Sequence, residues 1–128
     1  MDVPRDSQLD PTVLGLAEQA REALLNLYLR LAGTPGQAGI TSPVEVCQVL
    51  GSLSSMVDNL VRSLPELGGW LEQQLLAGSL PCAEADFDTL TRTMHDATSA
   101  LSHARGVASQ LGRDLARART ASQGLVSP

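Results

Sequence analysis

The chain has 128 residues, 43% of them hydrophobic and 2% aromatic, and carries a net charge of -5. This length suits one domain that buries its apolar surface without disulfide or metal staples, and the acidic balance opposes general nucleic-acid attachment, which depends on basic surface. With Tyr28, Trp70 and Phe87 as its only aromatics, the core must be Leu, Val, Ala and Met, which favours close-packed helices over a sheet.

Residues 1–9 are acidic and polar and read as a flexible arm, without the basic start and apolar run of a signal peptide. Asp10 offers an N-cap, with Pro11 at the first helical position. Val13, Leu16, Ala17, Ala20, Leu24, Leu27, Tyr28 and Leu31 follow at helical spacing, widened by Leu14, Leu25 and Leu29. Gly33 and Pro35 end this helix, and 33–41 form a loop.

Ser42-Pro43-Val44-Glu45 is a capping box with proline at the first helical position. The apolar positions after it are Val46, Val49, Leu50, Leu53, Met56, Val57, Leu60, Val61 and Leu64. Ser63-Leu64-Pro65-Glu66 repeats the capping pattern, and Gly68-Gly69 weakens the helix further. The spacing leaves two outcomes: a kink at Pro65, or a break and a fresh start. Trp70, Leu71, Leu75 and Leu76 then carry the apolar face to a stop at Gly78.

The last helix is expected over 83–118, with Glu84, Asp86 and Asp88 in its first turns, where the helix dipole favours negative charge. Phe87, Leu90, Met94, Ala97, Leu101, Ala104, Ala108, Leu111, Leu115 and Ala118 form a heptad seam with alternating steps of three and four. Residues 120–128 read as a flexible tail. Two helices of about 54 Å joined by a short loop imply a long antiparallel hairpin. The first helix, about 33 Å long, would cover part of it. The expected fold is therefore an all-α antiparallel bundle in a single domain over 10–119, with three long helices, or four if the second breaks at Pro65.

His95 and His103 fall outside the seam, eight residues apart, which is wrong for two ligands on one helix face. With no His-Glu-x-x-His and no cysteine cluster, no metal and no cofactor is expected. An exposed histidine on a bundle helix resembles a histidine phosphotransfer domain, which would imply phosphoryl transfer at His95 or His103. The residues after each, Asp96-Ala97-Thr98 and Ala104-Arg105-Gly106, lack that family's lysine. Cys47 and Cys82 read as free thiols, with a bridge between them as the alternative.

Arg105, Arg113, Arg117 and Arg119 gather near the C-terminus with Asp114 as their one opposing charge. They read as complements to the helix dipole, and alternatively as an anion or nucleic-acid contact. The acidic start and basic end of the last helix would also match charges if two copies paired antiparallel. Trp70 reads as a core or interface anchor. No catalytic triad, paired-carboxylate cleft or phosphate loop is present, so no enzyme activity is expected.

The run VEVCQVLGSLSSMVDNLVRSLPELGGWLEQQLLAG, with its Val-x-Val-x-x-Val-Leu-Gly, Leu-Pro and Trp-Leu-Glu, resembles small helical proteins of actinobacteria. The resemblance implies a bacterial helical protein and no activity. Together these features point to a cytoplasmic, non-enzymatic interaction module, adaptor or regulator, with no membrane span. It is expected to be a homodimer that also meets a further protein partner. The expected interface is Trp70, Leu71, Leu75, Leu111 and Leu115. A nucleic-acid accessory role through the four arginines is the alternative.

Overall fold

The computed structural model describes residues 12–33, 39–78 and 86–126. Among them the fold is all-α, with three helices: α1 (Val13–Leu31), α2 (Pro43–Ala77) and α3 (Phe87–Gln123). Two compact units divide the chain, Met1–Thr41 and Ser42–Pro128.

In the first unit, α1 begins at Val13, the first residue of its apolar stripe. Its N-cap is Thr12, whose hydroxyl accepts from the Gly15 N–H at 2.9 Å. Asp10 and Pro11, expected to start this helix, lie outside the described residues, as does the arm over 1–9. The helix closes through the Ala32 N–H, which donates to the Tyr28 carbonyl at 2.8 Å. No residue of α1 is buried.

The second unit is a helical hairpin. Ser42 caps α2 as expected, its hydroxyl accepting from the Glu45 N–H at 3.3 Å. At the far end Gly78 takes the left-handed conformation (φ 69°, ψ 23°) and its N–H returns to the Leu75 carbonyl at 3.1 Å. Only a residue without Cβ enters that region freely, so the helix stops there.

Between these ends α2 is one helix of 35 residues, with Pro65 inside it. The second capping box therefore does not operate. The Ser63 hydroxyl turns back to the Asn59 carbonyl at 2.8 Å, as a serine does inside a helix. Pro65 forfeits one backbone bond, but the seam residues on both sides of it pack on the same neighbouring helix, and that common contact holds α2 together.

α3 starts at Phe87, with Asp86 as N-cap accepting from the Thr89 N–H at 2.7 Å. Glu84 lies outside the described residues. The helix continues to Gln123, past the expected end near 119, so residues 120–123 are helical rather than part of a loose tail. At 35 and 37 residues, α2 and α3 are about 52 and 55 Å long.

Three close approaches fix their register. Gly51 faces Arg119, Gly112 faces Val57 and Asp58, and Gly68 faces Thr98 and Leu101. Positions rise along α2 as they fall along α3, so the helices are antiparallel. The α2 side of the seam is Cys47, Leu50, Ser54, Val57, Val61, Leu64, Gly68, Leu71 and Leu75, all buried or half-buried at steps of three and four.

The α3 side corrects the heptad expectation. Met94 and Ala108 are the buried apolar side chains, at 8% and 7% exposure. Ala97, Leu101 and Leu115 are half-buried, but Phe87, Ala104, Leu111 and Ala118 are exposed, and Gly112 is buried instead. The cause is geometric. A helix of 3.6 residues per turn drifts about 20° per heptad against a strict 3.5 repeat. Over the length of α3 the row 97–104–111–118 turns out of the contact, while the row 98–105–112–119 turns in.

Candidate functional site

The drift leaves apolar side chains outside the seam. On α2, Met56, Leu60, Leu67 and Trp70 are 40–58% exposed. On α3, Val107 and Leu111 are 57% and 47% exposed, flanked by exposed Ala100, Ala104 and Ala118. Each of these lines lies about a quarter turn from its helix's seam, because neighbouring residues are separated by about 100°. Viewed from its own N-terminus, each line is displaced from the seam in the same sense. In an antiparallel pair that puts both lines on one face of the hairpin. The face runs from the level of Leu53 and Ala118 to that of Trp70 and Ala97.

The expected interface residues thus separate. Trp70 and Leu111 are on the exposed face. Leu71, Leu75 and Leu115 are half-buried within the hairpin's own seam. Met56 and Leu60, which matched a core pattern in the sequence, and Leu67 and Val107, which fell in no expected stripe, also belong to the face.

The arginines lie outside this apolar line. Arg119 lies across α2, its Cζ 3.2 Å from the point where a Cβ on Gly51 would sit. Arg113 donates to Gln110 Oε1 at 2.8 Å, and Arg117 donates to Asp114 Oδ1 at 3.2 Å. That ion pair is well exposed, at 80% and 54%, so it contributes little. Arg105 lines a groove of about 210 Å3 with Leu64, Pro65, Gly68, Glu72 and Leu101. The groove exists because Gly68 and Gly69 put no side chain into it, and it is smaller than the pockets of roughly 300 Å3 and more that hold small molecules.

His95 and His103 are both exposed. Near His95 the structure is backbone-directed: the Thr98 hydroxyl donates to the Met94 carbonyl at 3.0 Å and the His95 carbonyl at 3.2 Å. Among the described residues no three His, Cys, Asp or Glu side chains form a group that could hold a metal. Cys47 is half-buried in the seam as a free thiol, and Cys82 lies outside the described residues. No described helix is long and apolar enough to cross a membrane. No family model matches the chain, and no curated protein or solved structure is significantly similar to it.

Proposed function

We propose that this chain is a non-enzymatic helical interaction module, an adaptor or regulator acting in the cytoplasm, that self-associates. The observation that carries this reading is the exposed apolar face of the hairpin. Its large side chains, Met56, Leu60, Leu67, Trp70, Val107 and Leu111, are 40–58% exposed, and contiguous apolar surface of this kind marks interaction sites on soluble proteins. A face of this size, continuous over several helical turns and free of arginine, is suited to packing against another helical surface.

Light scattering on the full chain over a range of concentrations tests the reading. A mass that rises from 13.5 kDa towards twice that value supports it. A mass fixed at the monomer value at the highest concentrations removes self-association.

A further inference from the structure

We infer that α2 carries a hinge over residues 63–69, about which its last part, 70–77, swings off α3 as a unit while the rest of the hairpin stays formed. The inference stands on α2 and its packing alone and is independent of self-association.

The hinge residues suit a helix start better than a helix interior. Ser63-Leu64-Pro65-Glu66 has the pattern of the working cap Ser42-Pro43-Val44-Glu45, a serine three residues before a glutamate with proline in the first turn. In the closed helix Pro65 offers no N–H to the Val61 carbonyl, and its ring crowds the preceding turn. The Ser63 hydroxyl is committed to the Asn59 carbonyl at 2.8 Å, a bond that slightly weakens a helix. A break at Ser63 relieves both. Proline in a first turn forfeits nothing, because a donor there would have no partner within the helix. The Ser63 hydroxyl can then accept from the Glu66 N–H, as Ser42 does from the Glu45 N–H at 3.3 Å. Gly68 and Gly69 follow one turn later. Nothing lies within 4 Å of the Cβ position of Gly69, so no close contact requires glycine there, and its effect is to leave the backbone free to turn.

Packing beyond the hinge is thin. The groove of about 210 Å3 beside Pro65, Gly68 and Gly69 leaves open space at this level. Of residues 70–77, Leu71, Gln74 and Leu75 are half-buried and none is buried. Met94 is the buried residue of α3 on this side, whereas Ala108 and Gly112 are both buried on the other. A segment with few buried apolar contacts opens at less cost than the whole domain. Opening uncovers Leu71, Leu75 and Met94, an apolar cleft that the closed hairpin hides.

The test is native-state amide exchange on the full chain, read residue by residue by nuclear magnetic resonance. A detached helix this short is marginal in water, so the amides at 70–77 should exchange together, with a step up in protection on the other side of Ser63, over 46–60. Protection that instead declines gradually towards Gly78 would mean fraying from the loop end and would overturn the hinge. So would equal protection in both halves. Pro65→Ala with Gly69→Ala should raise protection at 70–77 at least tenfold and remove the step. Ser63→Ala suits the closed helix but cannot cap the open one, and should slow exchange at 70–77 about fivefold. Unchanged exchange at 70–77 in either variant would overturn the inference.

Discussion

Gly112 of α3 lies against Val57 of α2: a Cβ at position 112 would sit 3.4 Å from Val57 Cγ1 and 3.6 Å from Asp58 Oδ1. This approach places the buried line of α3 on Gly112 rather than Leu111, and so turns Leu111 to the surface. The hairpin's inner contact and its outer apolar face are two consequences of one rotation.

Overfilling that contact should separate the helices. Gly112→Leu is expected to cost about 1–3 kcal/mol in urea denaturation, because the side chain has no space to enter. Gly106→Ala makes the opposite case. Nothing lies within 4 Å of its Cβ position, so the gain in helix propensity, about 0.5–1 kcal/mol, should appear as added stability. Destabilisation by both would contradict the observed rotation of α3.

Pro65 is exposed inside a continuous helix. Replacing it with alanine restores a backbone donor and removes the clash with the preceding turn. Pro65→Ala should stabilise the hairpin by about 1–3 kcal/mol. A thermal midpoint that falls would indicate that Pro65 makes a contact the surrounding structure requires.

Burial should outrank size. Met94, 8% exposed, should cost about 2 kcal/mol or more on truncation to alanine. Phe87, the larger side chain, is 66% exposed, and Phe87→Ala should shift stability by no more than about 0.5 kcal/mol. Chemical denaturation of the two variants side by side decides this.

The start of α3 should loosen in acid. The Thr89 side chain and then its backbone N–H hydrogen-bond the Asp86 carboxylate and hold its pKa below the ordinary 3.8. A depressed folded value means the charged cap is fully stabilising above pH 3.8 and is lost as pH falls through the lower folded value. Amide exchange at Phe87–Leu90 should therefore accelerate below that pH. Asp86→Asn, which keeps an acceptor oxygen without a titrating proton, should remove the acid dependence. Equal acid sensitivity in both proteins would assign it to other groups.

The sequence by itself determined the local structure. The Ser42 cap, the Gly78 stop and the alternation of threes and fours are short-range properties. They specified the α2 start and end and the all-α class, because capping and periodicity act within a few residues. Tertiary structure alone decided two things. Pro65 is spanned rather than broken, because its cost is met by packing on α3. Met56, Leu60 and Leu111 face outward although each fits a core pattern. Periodicity identifies an apolar stripe, but a stripe wider than one contact has two edges. Which edge is buried depends on how 3.6 residues per turn bring two long helices into register.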